Sequence, residues 1–242
     1  MNKNNIEVSV VIPAFNEEKY ISDTLFSLLK SEQQTQINYE VILVDNNSTD
    51  KTVEVAQKFR DGMNLRIIKE KKQGRGAARS RGFKEALGEI VLSADADTIF
   101  YKGWVEKLSS AIKGDVIGVS TSCKIVDSSG LNNAFFNFAQ PTLMVLYRIF
   151  LGHYWLSGFS SGILKSVYEK SGGFDTSLQA QEDLDLSFKV AKLGKIKFIN
   201  KPVIFSGRRF KKGLIIGIWD YFRSFTEAFV LKKKSVYLEN LR

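Results

Sequence analysis

The sequence predicts an α/β fold in which helices flank a doubly wound, mostly parallel β-sheet. Short β-branched runs alternate with helical apolar patterns through the first hundred residues, which is typical of βαβ units. Polar and acidic residues directly follow several of these runs. Ligands of such sheets bind beyond the carboxyl ends of the strands, so we expect these polar residues to share one cleft.

Four strands, the first three each followed by a helix, account for the first hundred residues. The first strand, at 8–12, is β-branched and is expected to end at Pro13. Asn16 is predicted to cap the following helix, with Glu17 and Glu18 at its positive end. The other strands are expected at 40–45, 65–69 and 89–93. The polar side chains expected at their shared edge are Asn16, Asp45, Asp95 and Asp97.

The second half has a less regular pattern. Strands are predicted at 116–126, 157–166 and 195–199, and a helix at 181–194 that ends at Gly194. Residues 131–156 are rich in aromatic side chains and only weakly periodic. Because no repeat or low-complexity linker interrupts the chain, we predict one domain over 1–209, with halves of about 1–98 and 99–209. A tail over 210–242 follows it.

The composition excludes several kinds of site. The 242 residues include one cysteine and one histidine, Cys123 and His153, so an intramolecular disulfide and a zinc site of the usual kind are excluded. Any metal must be held by oxygen atoms. The net charge of +9 favours an anionic partner, whether a phosphorylated small molecule, a nucleic acid or an anionic lipid. With no signal peptide and no run of about 18 apolar residues, we expect a cytoplasmic protein, including one at the inner face of the membrane.

Asp95 and Asp97 follow the fourth predicted strand with one residue between them. Two such carboxylates could hold one hard cation, Mg²⁺ or Mn²⁺, which usually keeps water and phosphate oxygens as its other ligands. Both residues could also lie in a solvated turn, because aspartate is a common turn former. The preceding strand and the other acids expected at the same edge favour the cation site.

Residues 69–82 form a glycine-containing stretch with six basic residues and one glutamate. Such a stretch could bind an anionic diphosphate, since glycine allows the backbone to approach closely. The alternative is a solvated basic helix face. The stretch differs from the dinucleotide-binding fingerprint because Arg79 stands where the third glycine would be.

Three acids, Glu182, Asp183 and Asp185, occur at the beginning of the helix predicted over 181–194. Acids in a first turn commonly stabilise the helix dipole. A carboxylate in the cleft could instead act as a general base on a hydroxyl. The residues alone leave both interpretations open.

Four motifs together resemble the family 2 glycosyltransferases, which have the GT-A fold. They are VSVVIPAFNEEKYI, EVILVDNNSTDKT, SADADT and GGFDTSLQAQEDLDLSFKVAKLG, and the resemblance runs from about residue 8 to about residue 205. It implies that Asp183 is the catalytic base and that Asp95 and Asp97 bind Mg²⁺ or Mn²⁺. It also implies a nucleotide-sugar site formed by Pro13, Ala14, Phe15, Asn16, Glu17, Asp45, Arg75, Arg79, Ala94, Asp95 and Glu182.

The reaction that this resemblance implies is a single displacement with inversion at the anomeric carbon. Asp183 would take the proton of an acceptor hydroxyl while the cation and the arginines stabilise the leaving nucleoside diphosphate. The acceptor would be a glycan or a lipid-linked group, including a lipid phosphate, as in the synthesis of cell-surface glycans. The chain departs from the family pattern at Asn46, Asn47 and Ser80, so its contacts to the base are expected to differ. The stretch SGRRF lacks the Gln and Trp of processive synthases, so transfer of one sugar is expected.

The tail carries apolar residues at helical spacing over 210–234, flanked by lysines. A helix with this amphipathic pattern could lie on an anionic membrane surface, or it could pack on the catalytic domain or on a partner subunit.

Two further enzyme interpretations keep a related sheet: retaining transfer and nucleotidyl transfer. A basic nucleic-acid-binding protein is a third alternative, but residues 69–81 contain none of the aromatic side chains that it would need. Nucleic acid is therefore not an expected partner.

Overall fold

The computed structural model describes residues 5–178 and 181–210, and only the backbone of the last two of these. Eight strands form one sheet, and seven helices and one 3₁₀ turn connect them within these residues. The strands are β1 Val8–Ala14, β2 Tyr39–Asp45, β3 Leu65–Lys69, β4 Ile90–Ala94, β5 Thr98–Ile99, β6 Val116–Lys124, β7 Ser160–Leu164 and β8 Lys195–Phe205. The helices are α1 Ile21–Ser31, α2 Thr52–Gln57, α3 Arg75–Glu85, α4 Trp104–Ser109, α5 Gly130–Leu151, α6 Lys165–Lys170 and α7 Glu182–Ala191, and the 3₁₀ turn is Gly207–Phe210.

The sheet has the strand order β3-β2-β1-β4-β7-β6-β8-β5. The first four strands are parallel, β7 is antiparallel to both neighbours, and β8 runs parallel to β6. The prediction of a doubly wound, mostly parallel sheet is confirmed. The chain winds outward from β1 to β3 and then returns to the other side of β1 with β4. The crevice between β1 and β4 is therefore the point at which such a sheet binds its ligand.

Apolar layers cover both faces of the sheet. On one face, Ile12 of β1 packs in a buried cluster with Leu25 of α1, and on the other face Val11 packs with residues of α3. α3 lies close to the sheet at Gly82, where an added Cβ would overlap the side chain of Val11. This close contact fixes the position of α3, and with it the position of Arg79, which lies one turn earlier.

Two details of the first unit differ from the sequence prediction. β1 does not end at Pro13 but continues to Ala14, because both residues keep their parallel register with β2. Asn16 does not cap the following helix, which begins at Ile21. Asn16 instead has a left-handed backbone conformation with φ of 54°, and its side-chain oxygen accepts a hydrogen bond from the backbone N–H of Thr49. Glu17 and Glu18 consequently lie before α1 rather than in its first turn.

The aromatic-rich segment 131–156, which the sequence pattern left unassigned, contains the longest described helix. α5 has 22 residues and is, by length and composition alone, long and apolar enough to cross a membrane. Pro141 and several Asn and Gln residues interrupt its apolar run, which is why the sequence showed no uninterrupted stretch of that length. The sheet runs through both predicted halves of residues 1–209, and the boundary between them stays a prediction. The predicted tail lies outside the described residues, except at its first position.

Candidate functional site

The carboxyl ends of β1, β2 and β4 meet at one edge of the sheet. Ala14, Asp45 and Ala94 are the last residues of these strands, and Ala14 lies opposite Asp45 in the register. The sheet thus brings together the donor-site residues expected from the first two motifs and from the end of β4: Pro13, Ala14, Phe15, Asn16, Asp45 and Ala94. Their contacts with a nucleotide stay a prediction.

Arg79 is the centre of a buried group of charges at this edge. Its guanidinium forms ion pairs with Asp95, just after β4, and with Glu182, the first residue of α7. Burial by itself lowers the pKa of Arg79, but the charges of Asp95, Glu182 and Asp183 outweigh burial and raise it. Arg79 is therefore a permanent cation that links the carboxylate after β4 to the first turn of α7.

Asp183 lies next to this group and is only partly buried. The backbone N–H of Gly158 donates to its Oδ2 atom at 2.9 Å, and the N–H of Leu184 donates to Oδ1 at 2.8 Å. Burial and the neighbouring charge of Glu182 raise the pKa of Asp183 to about 6, against the lowering effect of Arg79. Asp183 is consequently a carboxylate that is ionised at neutral pH and is still basic enough to accept a proton.

Gly158 allows this arrangement because it has no side chain. A Cβ atom at this position would overlap the guanidinium of Arg79. The same residue offers its N–H to Asp183. One glycine in the segment before β7 therefore positions both the arginine and the carboxylate beside it.

A second arginine, Arg208, lies at the other side of the cleft in the 3₁₀ turn that follows β8. Its guanidinium donates to both carboxylate oxygens of Glu17, at 2.7 and 2.8 Å, and lies 3.0 Å from Oδ2 of Asp97. It also stacks over the ring of Tyr20, 4.7 Å from the centroid. Glu17 and Asp97 are thus neutralised by a residue about 110 positions beyond Asp97, which sequence analysis did not assign to the site.

The turn after β2 holds the basic stretch in place. The side chain of Asn46 donates to the carbonyl oxygens of Glu70 and Lys72 and accepts from the N–H of Gly74. Asp45 accepts from the N–H of Ser48. Asn46 departs from the family motif, and its three hydrogen bonds fix the loop that precedes α3. Arg75, the first residue of α3, follows this loop directly.

The described residues contain no group of three His, Cys, Asp or Glu side chains that could hold a metal ion. Asp95 and Asp97, which were expected to share one cation, each pair with a different arginine. Asp97 still fits a hard cation, because Mg²⁺ or Mn²⁺ needs only one or two carboxylates when phosphate oxygens and water complete its shell. Such a cation would take the place of Arg208 on Asp97. The residues fit a cation that arrives with a diphosphate.

An aromatic cluster lies near Asp183. Tyr147 of α5 stacks on Trp155 and meets His153 edge to face. In the described part of the chain, Tyr147 Oη, His153 Nε2 and Trp155 Nε1 are buried without a hydrogen-bond partner. Burial and, second, the charge of Asp183 raise the pKa of Tyr147. The cluster is therefore close to Asp183 and offers polar groups to a ligand beside it.

The sequence model of the family described as "Glycosyl transferase family 2" matches residues 9–172, about two thirds of the chain. Poly(ribitol-phosphate) beta-N-acetylglucosaminyltransferase TarS from Staphylococcus aureus is 31% identical over 146 residues, which cover 58% of this chain and 25% of TarS. Dolichol-phosphate mannosyltransferase from Pyrococcus furiosus is 38% identical over 109 residues, which cover 45% of this chain and 30% of that enzyme. The chain thus aligns with less than a third of the length of these curated relatives.

The fold is shared with solved structures as well. Mannosyltransferase PcManGT from Pyrobaculum calidifontis, in complex with GDP-Man and Mn²⁺, superposes with a TM-score of 0.68 at 23% identity. The superposition covers 94% of this chain and 65% of PcManGT. This similarity confirms the GT-A fold that the motifs implied.

Proposed function

This chain belongs to glycosyl transferase family 2, and we propose that it transfers one sugar from a nucleoside-diphosphate sugar to an acceptor, with inversion at the anomeric carbon. The acceptor is a hydroxyl group or a lipid phosphate, in the synthesis of cell-surface glycans or glycolipids. The observation that carries the proposal is the group formed by Arg79, Asp95, Glu182 and Asp183. It joins the donor edge of the sheet to a carboxylate that can accept a proton.

Asp183 acts as the base in this proposal. It accepts the proton of an acceptor hydroxyl while the hydroxyl oxygen bonds to the anomeric carbon and the bond from that carbon to the diphosphate breaks. Its raised pKa suits this role, because a base with a pKa close to the working pH accepts a proton more readily than an ordinary aspartate. An acceptor that is a lipid phosphate is already ionised and needs no base, so Asp183 would be required only for a hydroxyl acceptor.

The arginines stabilise the charge that grows on the leaving nucleoside diphosphate. Arg79 is fixed by its two ion pairs, and Arg75 stands at the first position of the same helix. Arg208 becomes available for the diphosphate when it leaves Asp97. Asp97, with Asp95 beside it, would hold a divalent cation. Such a cation would act as a Lewis acid and neutralise part of the charge on the same diphosphate.

The aromatic cluster of Tyr147, His153 and Trp155 is the proposed acceptor side. Flat ring faces suit sugar rings, and the three polar atoms that lack a partner among the described residues can bind acceptor hydroxyl or phosphate groups. Their proximity to Asp183 supports this assignment, since the base must lie within hydrogen-bonding distance of the attacking oxygen.

The experiment that tests the proposal measures release of nucleoside diphosphate from UDP-, GDP- and dTDP-sugars with Mn²⁺, Mg²⁺ or EDTA. Turnover of one donor only with metal, lost in Asp97→Ala and kept in the exposed control Asp115→Ala, is the expected result. Calorimetric binding of the nucleoside diphosphates accompanies it, because hydrolysis without an acceptor can be slow. Absence of nucleotide binding with and without metal would refute the donor site. The configuration of the transferred product, read by NMR, separates inverting from retaining transfer.

A further inference from the structure

Helix α5 presents its polar side chains to the protein. Asn133, Asn137 and Gln140 recur at a spacing of three and four residues, and all three bond to backbone groups of the preceding segment 123–128. Asn137 accepts from the N–H of Ile125 at 2.9 Å and donates to its carbonyl oxygen at 3.1 Å. Gln140 accepts from the N–H of Cys123 at 3.3 Å. The amides of Asn137 and Gln140 bind backbone groups at and just after the end of β6, so hydrogen bonds fix the inner side of α5 together with the packing of Phe136 and Met144.

The outer side of α5 is apolar. Six of its side chains are more than half exposed: Leu131, Phe135, Phe138, Leu143, Ile149 and Phe150. At 100° per residue these positions span an arc of about 140° around the helix, which is wider than a single packing stripe. Leu131 and Phe150 are exposed by 86% and 80%, respectively. Surface helices of soluble domains turn their apolar side to the core and their polar side to water, whereas α5 exposes its apolar side.

The outer arc contains two polar residues, Asn132 and Thr142, and each donates a hydrogen bond within the protein. Asn132 Nδ2 donates to the hydroxyl of Ser128 at 3.4 Å. Thr142 lies within the arc, and its hydroxyl donates to the carbonyl oxygen of Phe138 in the same helix. Arg148 is the one charged residue of α5, and it lies outside the arc with its guanidinium over the ring of Tyr154, 5.2 Å from the centroid. The arc therefore suits an environment of hydrocarbon.

We propose that α5 docks on the surface of a lipid bilayer that contains anionic lipid, with its outer arc in the acyl-chain boundary. α5 does not span the bilayer, because Asn137 and Gln140 near its middle are bonded to backbone groups at the end of β6 and just after it. The charge pattern fits an anionic surface. No acidic residue occurs between Asp127 and Glu169, Lys124 is exposed beside the helix, and the net charge is +9.

This docking has a consequence for the acceptor, which rests on the proposed function. Tyr147, on the inner side of α5, lies close to Asp183. A helix on the bilayer surface thus places the acceptor side of the site next to the lipid headgroups. The acceptor class that fits this placement is a lipid-linked phosphate or sugar rather than a soluble glycan.

The test compares co-sedimentation of the full chain with vesicles of phosphatidylcholine alone and of phosphatidylcholine with 30% phosphatidylglycerol. We expect Phe138→Gln/Ile149→Gln to lower the partition coefficient on the anionic vesicles at least tenfold, because both side chains leave hydrocarbon. The matched control Leu87→Gln/Leu193→Gln changes two exposed apolar residues elsewhere and should leave partition unchanged. Nucleoside-diphosphate binding without vesicles is measured in parallel, so that a failure of docking is distinguished from a failure of the donor site.

A labelled variant reports the position of the helix directly. Cys123 is buried and the raised pKa of its thiol keeps it unreactive, so Phe138→Cys can be labelled alone with an environment-sensitive fluorophore. Vesicles should shift its emission to the blue, and a label at Leu87→Cys should not respond.

Three results would overturn the inference. The first is equal vesicle partition of the wild type and the α5 double variant. The second is a dimer, measured by light scattering without vesicles, that the double variant abolishes, because a second copy would then cover the arc. The third is a marked loss of thermal stability in the double variant without vesicles, because the arc would then be covered by residues 211–242 of the same chain.

Discussion

Glu182→Gln tests whether the charge of Glu182, beside Asp183 at the start of α7, raises the pKa of Asp183. Glu182 is buried and paired with Arg79, and its charge is one cause of the raised pKa of Asp183. The substitution removes this charge and keeps the shape of the side chain. It also leaves Arg79 with one carboxylate fewer, so the guanidinium acts more strongly on Asp183. Both effects lower the pKa of Asp183.

The size of the effect follows from Coulomb's law. Two unit charges of the same sign about 7 Å apart, at an effective dielectric constant of about 20, repel each other by about 2.4 kcal/mol, or about 1.7 pK units, and this value serves as the scale for the pair. Asp183 is only partly buried, so solvent screening weakens this repulsion, which leaves an expected shift of about one unit. At pH 5 the ionised fraction of Asp183 would rise about fivefold for a pKa that falls from about 6 to about 5.

The assay is the pH dependence of kcat/KM for release of the nucleoside diphosphate between pH 4.5 and 8. The acidic limb of the wild type is expected at about pH 6, and that of Glu182→Gln about one unit lower. Glu182→Asp keeps the charge and should keep the wild-type limb. Asp185→Asn, on the same helix turn but paired with Lys189, is the matched control and should not move it. A limb that stays in place or moves to higher pH in Glu182→Gln would refute the assignment of Asp183 as the base.

Three more predictions concern the residues around this pair. Asp183→Asn should abolish transfer to a hydroxyl acceptor and raise Tm at pH 7.5 but not at pH 4: with a folded pKa of about 6, the ionised wild-type residue destabilises the fold as pH rises from about 4 through 6. Gly158→Ala should reduce donor turnover at least tenfold, because the new methyl group displaces the Arg79 guanidinium, whereas Gly130→Ala, in open space, should not. Arg208→Gln should lower the Kd for Mn²⁺ alone at least threefold in calorimetry, since the arginine no longer competes for Asp97. An unchanged Kd would contradict the idea that the cation displaces Arg208.

The first half of the fold could be predicted because its information is local. Strand β3 occupies the predicted residues, β2 begins one residue earlier than predicted, and β4 is shifted by one residue at both ends. The side chains that follow these strands had to meet, because parallel strands end at the same edge of a sheet. The prediction that was wrong in this half concerned the turn after β1. Asn16 looked like a helix cap, but it bonds to Thr49 in a neighbouring turn, which no spacing within one segment reveals.

The ion-pair partners in the site could not be predicted, because they depend on contacts between distant segments. Arg208 reaches Asp97 only because β5 pairs with β8, which brings the segment after β8 beside the turn after β4. α5 was missed for a different reason. Polar and apolar residues alternate on its inner side and most of its apolar residues are exposed, so a search for a buried apolar stripe finds only a weak period.

The charges of the cleft explain why a cation would be needed with the donor. Glu17, Asp95, Asp97, Glu182 and Asp183 bring five carboxylates together, and among the described ion pairs only Arg79 and Arg208 neutralise them. A diphosphate adds further negative charge to a site that already has an excess of it, so nucleotide alone would be repelled. A divalent cation on Asp97 would reduce that excess and free Arg208 to face the diphosphate. Cation and nucleotide should therefore each strengthen the binding of the other, and the exchange of Arg208 for the cation is the step that couples them.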